Sequence, residues 1–490
     1  MLQNEVNALR DTPVATPTMI IGGQSVAAHS GQTLEVSSPV DGQTLTHIPN
    51  AGEHDVAAAV AAARTSFDAG VWARIAPAGR KKILLRWAEL IELNALELAV
   101  LGVRDNGTEM SMAFKAEPLS AAGTIRYYAE AIDKIYGEVA PTDPSTLALI
   151  LKEPVGVVGA IVPWNFPLMI SAWKIAPALA MGNSVVLKPS EVASLSVLRM
   201  VALAHEAGLP EGVLNVITGE GPVSGRALAR SMDVDALVFT GSVNVGRRLM
   251  EYAAQSNLKR VFLELGGKSP HIVFDDTQDI DTAAQAVVNG IFRNSGQVCI
   301  AGSRLLVQDT IHDALVDKII TLSEGLRVGD PLDLSNQIGA VSSEEHLQRI
   351  LTMLKGNDSI ATGGARLLAD TGGSYMQPTV VLDQQPDDPL VRNEIFGPVL
   401  TVTRFKKETD AVEMANASEL GLAAGVWTNE LGRAHRMISA LRAGVVHVNT
   451  FGGADNTVPL GGFKQSGNGH DKSLHAIEKF INKKTAWIKL

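Results

Sequence analysis

The sequence predicts an α/β fold with two domains, each built on a parallel sheet. Two observations predict it. Of the 490 residues, 46% are hydrophobic and 19% are charged, which is close to an ordinary globular protein with a large core. Apolar, β-branched runs alternate with segments of helical spacing twice along the chain, first from Val155 and again from His271. Such alternation is typical of βαβ units, whose strands are parallel.

The first alternation predicts the core of the first domain. Residues 18–50 read as short strands and turns, and helical spacing follows at 54–69, 77–103 and 117–134. The run Val155 to Val162 is apolar and β-branched, as expected of a strand buried on both faces. The later elements predicted here are helix 168–180, strand 184–188, helix 194–207, strand 213–217, helix 222–231, strand 236–240, helix 244–255 and strand 261–265.

The second alternation predicts another α/β domain. Its predicted elements are strand 271–274, helix 281–294, strand 304–307, helices 310–325 and 343–355, strand 399–405, helix 408–417, strand 424–428, helix 430–442 and strand 445–449. The last residues, 481–490, alternate like an edge strand, which needs a pairing partner. Strand 146–152 is the candidate partner, either in the same chain or in another subunit.

Charge and cysteine content exclude several functional classes. The net charge of −10 argues against nucleic acid as the main partner, because phosphate binding needs a basic face. A single cysteine, Cys299, cannot form an intrachain disulfide or a multi-cysteine zinc site, which favours an intracellular, cytoplasmic protein. We expect no signal peptide, because the N-terminus lacks an apolar segment. The uncharged stretch 154–173 is long enough for a bilayer, but its prolines predict a buried strand and a tight loop instead.

Cys299 is the first candidate for chemistry. It lies between Gly296 and Gly302, and flanking glycines allow a substrate to approach closely. A buried, inert cysteine is the alternative. Among possible bases, His271 and His447 lie in or next to strands and read as structural. Glu264 instead ends an apolar strand, where partial burial raises the pKa of a carboxylate toward that of a general base, although an ordinary solvated glutamate remains the alternative.

Three further motifs lie at the ends of predicted strands. In Pro163-Trp-Asn-Phe-Pro167 two prolines and two aromatics hold Asn165, whose amide is suited to donate to an oxyanion. Lys188 and Glu191 follow the next strand and are placed to bind ribose hydroxyls. Phe239-Thr-Gly-Ser242 leads from a strand into a helix, whose N-terminus suits a pyrophosphate.

Together these motifs resemble those of the NAD(P)-dependent aldehyde dehydrogenase superfamily. The matching segments are PWNFP, WKIAPAL, KPSE, FTGS, LELGGKSP, GQVCIAG, NEIFGPV and PLGGFKQSG, which cover about residues 20 to 490. The resemblance implies two Rossmann-like, doubly wound domains and a small β element for assembly into a dimer or tetramer. It implies an NAD-binding domain at 1–135 and 155–265, a catalytic domain at 266–468 and an oligomerisation element at 136–154 and 469–490.

The resemblance also implies a role for each site residue. Cys299 would be the nucleophile, Glu264 the general base, Asn165 the oxyanion donor, and Lys174 a support for proton transfer near Glu264. The implied cofactor is NAD, no metal is required, and the NAD-binding residues would be Ile161, Trp164, Lys188, Glu191, Gly221, Phe239, Gly241, Ser242, Val245, Leu265, Glu394 and Phe396. The implied substrate residues are Phe166, Met169, Trp173, Ile300, Phe451 and Asp455.

Within the superfamily, the tail GGFKQSGNGHDKSLHAIEKF resembles that of bacterial γ-glutamyl-γ-aminobutyraldehyde and guanidinobutyraldehyde dehydrogenases. This implies an ω-amino or ω-amido aldehyde as substrate, with Asp455 as the complementary charge. Three segments depart from the pattern of the family: His470, Asp105-Asn-Gly-Thr-Glu109, and the loop Thr450 to Thr457 at the implied substrate mouth. A broad aliphatic or aromatic specificity, a cofactor-independent cysteine hydrolase and a non-catalytic relative remain as alternatives.

Overall fold

The structure, a computed structural model, describes residues 2–453 and 455–490. Its first sheet has five parallel strands at the centre and antiparallel strands at both edges. The spatial order is Gln24–Val26, Met19–Ile21, Leu214–Val216, Ser184–Lys188, Val157–Ile161, Ala236–Thr240, Arg260–Glu264 and Gly467–Asn468. The predicted parallel sheet is therefore confirmed, and a strand from near the C-terminus joins its edge.

The strand order of this sheet reverses beside Val157–Ile161. The chain moves outward to one side through Ser184–Lys188 and Leu214–Val216, and then returns to the other side with Ala236–Thr240. The loops after the two strands at this reversal leave toward opposite faces, so a crevice opens at the carboxyl ends of the strands. Asn165 and Ser242 follow these two strands, so the topology alone places both beside the crevice.

The second sheet is also built around a reversal of strand order. Its spatial order is Ile360–Thr362, Thr379–Val381, Val399–Phe405, Arg304–Gln308, Pro270–Val273, Ala423–Trp427 and Val445–Val448. All neighbouring strands are parallel except the first pair. The two short strands before residue 390 were not predicted, because each has only three residues and no clear alternation.

A third sheet settles the partner of the terminal strand. Ile481–Lys489 pairs along its whole length with Thr146–Pro154 of the same chain, and Glu138–Ala140 completes the sheet. Among the residues that the structure describes, nothing pairs with the other edge of Ile481–Lys489, and Trp487 on this strand is exposed. The remaining strand pairs are Thr33–Ser37 with Thr44–Pro49, Arg366–Leu367 with Tyr375–Met376, and Leu420–Gly421 with Phe463–Lys464.

Helices cover both main sheets. The α-helices are Gln3–Arg10, Glu53–Asp68, Pro77–Leu93, Ala95–Asn106, Met110–Phe114, Ser120–Ala131, Pro167–Ala180, Leu195–Glu206, Arg226–Arg230, Val243–Ala254, Ile280–Phe292, His312–Glu324, Glu344–Leu354, Pro389–Arg392, Glu408–Asn416 and Leu431–Ala440. Short π or 3₁₀ turns cover Lys115–Leu119, Ile132–Lys134, Gly221–Gly225, Arg293–Gly296, Asp309–Ile311, Ala369–Thr371 and Leu474–Phe480. In the described part of the chain, no helix has both the length and the apolar character needed to cross a bilayer.

Two of the predicted helices differ from those observed. The predicted helix 77–103 is interrupted at Asn94, whose side chain bonds the Leu90 carbonyl and ends the first helix. The predicted helix 222–231 begins as the π turn Gly221–Gly225, in which Pro222 has no amide hydrogen to donate. The helix Pro167–Ala180 is buried over nearly its whole surface, which explains why its sequence looks like a membrane segment.

Candidate active site

A cavity of about 710 Å³ lies at the carboxyl edge of the first sheet. This volume is in the usual range for small-molecule and cofactor sites. It brings together eight of the residues predicted from sequence, which are Trp164, Asn165, Gly241, Ser242, Leu265, Cys299, Glu394 and Phe396. These residues come from loops of both main sheets, so the fold collects them from positions up to 232 residues apart in the sequence.

The loop before Cys299 has an unusual backbone. Asn294, Ser295 and Gly296 all have positive φ, at 50°, 51° and 73°, a region that non-glycine residues rarely occupy. The Ser295 hydroxyl donates to the Gly339 carbonyl at 3.0 Å, and the Gln297 amide donates to the Asn294 carbonyl at 3.0 Å. Strain of this kind persists only where neighbouring groups hold the backbone in place, and it is concentrated at functional loops.

Two residues of the departing segment 105–109 hold this loop. The Asn294 backbone N–H donates to Glu109 Oε1 at 3.0 Å, and the Thr108 hydroxyl donates to Asn294 Oδ1 at 2.8 Å. The Asn294 amide in turn donates to the carbonyl of Asn165 at 3.2 Å. The sequence departure at Thr108 and Glu109 therefore connects the cysteine loop to the oxyanion candidate, although these two residues were singled out only as a local difference.

Cys299 is half-buried and lines the cavity. The pKa of its thiol is raised to about 12. Burial is the main cause and the carboxylates of Glu264 and Glu394 add to it, while Arg293 acts in the opposite direction. The thiol is thus protonated in this state of the protein. A nucleophilic role requires a group that takes this proton as the sulfur attacks.

Glu264 is buried at the end of its strand, and its Oε1 has no hydrogen-bond partner among the described residues. The pKa of Glu264 is raised to about 8. Burial is the main cause and the Asp471 carboxylate adds to it, while Lys174 and Lys479 act in the opposite direction. A carboxyl group with this pKa is suited to exchange protons near neutral pH. Glu264 does not itself line the cavity, although its neighbours Leu265 and Gly266 do.

The predicted support from Lys174 is part of a larger charge cluster. Asp471 accepts hydrogen bonds from the ammonium groups of both Lys174 and Lys479, and all three side chains are at least 95% buried. Burial alone would raise the pKa of Asp471, but the two ammonium groups hold it below its ordinary value. Lys174 is thus paired with Asp471, and neither Asp471 nor Lys479 was predicted from the sequence as part of this cluster.

Asn165 has one amide hydrogen committed and one still available. Its Nδ2 donates to the Gln297 carbonyl at 2.8 Å, and the side chain is 3% exposed. A primary amide has two N–H groups, so the second is available to a ligand in the cavity. Because Gln297 precedes Cys299 by two residues, this bond also fixes the distance between the amide and the cysteine loop.

The cofactor side of the cavity is formed by the start of the helix Val243–Ala254 and by Glu394. Ser242 caps this helix by accepting from the Val245 N–H at 3.4 Å, and Glu394 accepts from the Gly267 N–H at 3.0 Å. An added Cβ on Gly266 would lie 2.1 Å from Glu394 Oε2, so the close approach requires glycine. Burial raises the pKa of Glu394 to about 7.

The other predicted cofactor residues lie outside this cavity. Lys188 is buried and forms an ion pair with Glu191 at 3.4 Å, and Glu191 lines a separate cavity of about 470 Å³ together with Glu220. The others surround the first cavity without lining it: Ile161 and Phe239 are buried in the core beneath it, Val245 is exposed on the helix, and Gly221 begins a π turn.

The predicted substrate residues do not line this cavity. Phe166 and Trp173 are buried, and Met169 and Ile300 are partly buried against the same core. Phe451 stacks on His271 with 4.7 Å between ring centroids, in a space that added Cβ atoms on Gly290 and Gly302 would fill. Asp455 is exposed, and its Oδ1 accepts from the backbone N–H and the hydroxyl of Thr457, as expected of a residue that forms a turn.

The histidines predicted to be structural have structural contacts. His271 is buried and accepts a hydrogen bond from the Trp427 indole at 2.7 Å. His346 and Arg349 are among the cavity residues that were not predicted from the sequence. His346 bonds the Phe396 carbonyl at 2.7 Å and packs edge-on against Trp164, and Arg349 donates to the Ile395 carbonyl. Both lie on an ordinary amphipathic helix, so no sequence signal distinguished them.

Comparisons with known proteins agree with this geometry. The profile of the aldehyde dehydrogenase family matches residues 26–486. The chain is 47% identical to the NADP/NAD-dependent aldehyde dehydrogenase PuuC of Escherichia coli K12, over 96% of this chain and 95% of PuuC. It is 48% identical to the solved γ-glutamyl-γ-aminobutyraldehyde dehydrogenase from Burkholderia cenocepacia, with a TM-score of 0.98 over 100% of both chains.

A second solved structure is also similar over its whole length. It is the indole-3-acetaldehyde dehydrogenase AldA of P. syringae, in complex with NAD+ and IAA, which is 45% identical with a TM-score of 0.98 over 100% of both chains. With a family profile spanning most of its length and relatives of this identity, the chain belongs to the aldehyde dehydrogenase family, whose members are NAD(P)-dependent oxidoreductases.

Proposed function

We propose that this enzyme oxidises an ω-amino or ω-amido aldehyde to the carboxylic acid, with Cys299 as nucleophile and NAD as hydride acceptor. The observation that carries the proposal is the single cavity in which Cys299 and Asn165 meet Ser242 and Glu394. Oxidation of an aldehyde requires the carbonyl at Cys299 and Asn165 and the dinucleotide at Ser242 and Glu394 to share one cavity. A cofactor-independent hydrolase does not need the dinucleotide residues.

The proposed reaction begins when the Cys299 thiol gives its proton to solvent and the sulfur adds to the aldehyde carbon, which gives a tetrahedral thiohemiacetal with a negatively charged oxygen. The free amide hydrogen of Asn165 donates to the oxyanion of this adduct. NAD, when bound, accepts the hydride that leaves the adduct, which becomes a thioester on Cys299. Glu264 then takes a proton from water, the water attacks the thioester, and the acid leaves as the thiol is restored.

The residues around the cavity fit a dinucleotide. Gly241 and Ser242 lead into a helix N-terminus, which suits a pyrophosphate, and Arg247 lines the wall beside them. Glu394 is held by the Gly267 N–H with its second oxygen toward Gly266, in a position suited to ribose hydroxyls. Glu191 supports NAD over NADP, because a carboxylate accepts from a ribose 2′-OH and repels a 2′-phosphate.

The substrate class is supported by two observations. The tail of the chain resembles that of enzymes for γ-glutamyl-γ-aminobutyraldehyde, and the solved γ-glutamyl-γ-aminobutyraldehyde dehydrogenase from Burkholderia cenocepacia matches the whole chain. The relative that acts on indole-3-acetaldehyde is nearly as similar, so aromatic aldehydes are the rival class. Residues Phe166, Met169, Trp173, Ile300, Phe451 and Asp455 are the proposed wall of the substrate tunnel.

The proposal is tested by following reduced nicotinamide with a panel of aldehydes. We expect oxidation of γ-glutamyl-γ-aminobutyraldehyde with a kcat/KM at least tenfold above that of indole-3-acetaldehyde. Cys299→Ala should abolish turnover while NAD binding, measured by calorimetry, is retained. Ester hydrolysis without NAD and no aldehyde oxidation at all would support a hydrolase and contradict the proposal.

We also propose that the chain assembles as a homo-oligomer, a dimer or tetramer, in the cytoplasm. No other described strand pairs with the outer edge of Ile481–Lys489, and Trp487 and Ile488 are exposed on this strand, which supports pairing with another subunit. The nucleophile must stay a reduced thiol, which supports a reducing compartment. Light scattering of the wild type and of Trp487→Lys tests the assembly. If the variant has the same molar mass as the wild type, this interface is refuted.

A further inference from the structure

The substrate side of the site carries two positive charges that the proposed function does not use. Arg293 immediately precedes the strained loop of Cys299, and Lys472 follows Asp471 in the C-terminal segment. Both reach the loop 450–457, which departs from the family pattern. Neither forms a salt bridge or hydrogen bond with the residues that the structure describes, although each lies in a largely enclosed place.

Arg293 lies between the nucleophile and this loop. Its guanidinium packs against Gly452, where an added Cβ would lie 2.9 Å from both terminal nitrogens, so a larger residue there would displace the guanidinium. Its Nε is fully buried and has no partner among the described residues. Burial lowers the pKa of Arg293, while Cys299 and Glu109 oppose this effect, which shows that the guanidinium is close enough to influence both.

Lys472 has an unfavourable backbone conformation. Its φ is 63° and that of Ser473 is 50°, a region that non-glycine residues rarely occupy and keep only where neighbouring groups hold the backbone in place. The side chain is 4% exposed, and its ammonium lies 5.8 Å from the centre of the Trp173 ring. Burial lowers the pKa of Lys472, and attraction to Asp455 and Asp471 acts against this.

The charges around this mouth do not suit a purely cationic substrate. Asp455 is the one carboxylate that we predicted for such a substrate, yet Thr457 and Lys472 already attract it. Of the other carboxylates near these cations, Asp471 is shared by Lys174 and Lys479, and Glu109 accepts from the Asn294 N–H. Among the described residues, Asp455 is thus the one remaining carboxylate for Arg293 and Lys472, which leaves an excess of positive charge. A terminal ammonium or guanidinium would be repelled there, whereas a carboxylate would gain charge-assisted hydrogen bonds.

We propose that Arg293 and Lys472 bind a carboxylate at the far end of the aldehyde, so the preferred substrate is an acidic or zwitterionic amido aldehyde. This inference rests on the proposed function and narrows it. A γ-glutamyl amide carries an α-carboxylate beside its α-ammonium, and the carboxylate is the group that the two cations would bind. Simple amino- and guanidino-aldehydes end in a cation alone and are poor substrates on this account.

The test uses substrates that differ only at their far end. The parent is γ-glutamyl-γ-aminobutyraldehyde, the first analogue lacks only its α-carboxylate, and pentanal serves as a neutral aldehyde. For the wild-type enzyme we expect kcat/KM to fall at least tenfold when the carboxylate is removed, which is about 1.4 kcal/mol. Lys472→Met and Arg293→Met should each lower kcat/KM tenfold for the parent and change it less than threefold for the other two aldehydes.

The control variant is Lys355→Met, which removes the same charge from an exposed helix end and should leave all three values unchanged. If the wild type oxidises pentanal but prefers the analogue without the carboxylate, the inference is wrong and the proposed function stands. If no aldehyde is oxidised with NAD, the proposed function itself fails. An equal loss for pentanal in Arg293→Met would mean that this residue acts on Cys299 and would overturn its assignment to the carboxylate.

Discussion

Replacing Asp471 with asparagine perturbs both the stability of the protein and the acid–base behaviour of Glu264. Asp471 is 1% exposed and lies between the ammonium groups of Lys174 and Lys479, which are 2% and 5% exposed. Asparagine keeps the size of the side chain but removes its charge, so two buried cations lose their counter-ion. Breaking a buried pair in this way costs about 3–5 kcal/mol.

The same change should lower the pKa of Glu264 from about 8. The Asp471 carboxylate raises that pKa, whereas Lys174 and Lys479 lower it, so its removal leaves only the two attractive charges. A nearby charge typically moves a pKa by about 1–3 units. If Glu264 is the base, the low-pH decline of kcat should move toward lower pH by about one unit or more.

Two assays on the same variant check these effects. Urea unfolding at pH 7 measures the stability loss, and kcat for a good aldehyde between pH 5.5 and 9.5 measures the shift. Asp281→Asn is the control, because its ion pair with Lys318 is exposed and should contribute less than about 1 kcal/mol. A stability loss below about 1 kcal/mol, or an unchanged pH profile, would refute the reasoning about this cluster.

Three further predictions concern other carboxylates. Glu109→Ala should lower kcat at least tenfold, because the Asn294 N–H loses its acceptor. Glu109→Gln keeps an acceptor oxygen and should restore kcat, and an equal loss of kcat in both variants would disprove the positioning role. Burial raises the pKa of Glu117 to about 8, from 4.5 in the unfolded chain. The contribution of Glu117 to the free energy of unfolding is therefore fully present below pH 4.5 and is lost as the pH rises through 8. In Glu117→Gln the free energy of unfolding, measured with urea from pH 5 to 9, should fall less steeply with pH than in the wild type. An unchanged slope would contradict this prediction. Glu191→Ser should bring kcat/KM for NADP within tenfold of NAD, and equal values in the wild type would refute the role of Glu191.

Much of the fold could be predicted because the core strands are strongly marked. Ser184–Lys188, Ala236–Thr240 and Val399–Phe405 have the predicted bounds, since each is an apolar run between turn residues. The short strands Ile360–Thr362 and Thr379–Val381 lack such a pattern and depend on pairing with a neighbour. The N-terminal helix Gln3–Arg10 was also missed, because it buries only Val6 and is held by contacts to residues near position 330.

The candidate site divides in the same way. Cys299, Asn165 and Glu394 lie in motifs that could be read locally, and the cavity brings them together. The cluster of Lys174 with Asp471 could not be predicted, because its members are 297 residues apart and their charges look like solvated surface groups. Arg293 resembled a basic residue that ends a helix, so only the packing against Gly452 reveals its place beside the cysteine loop.

The central claim is that Cys299 carries the acyl group and Glu264 releases it. Because Cys299 is the only cysteine, a thioester adduct has one possible site. The most direct measurement mixes Glu264→Gln with NAD and γ-glutamyl-γ-aminobutyraldehyde, and follows reduced nicotinamide while intact mass is recorded from quenched samples. We predict a burst of about one reduced nicotinamide per chain, a slow steady rate, and an acyl adduct that maps to Cys299. A full burst without an adduct, or steady turnover equal to that of the wild type, would contradict the account.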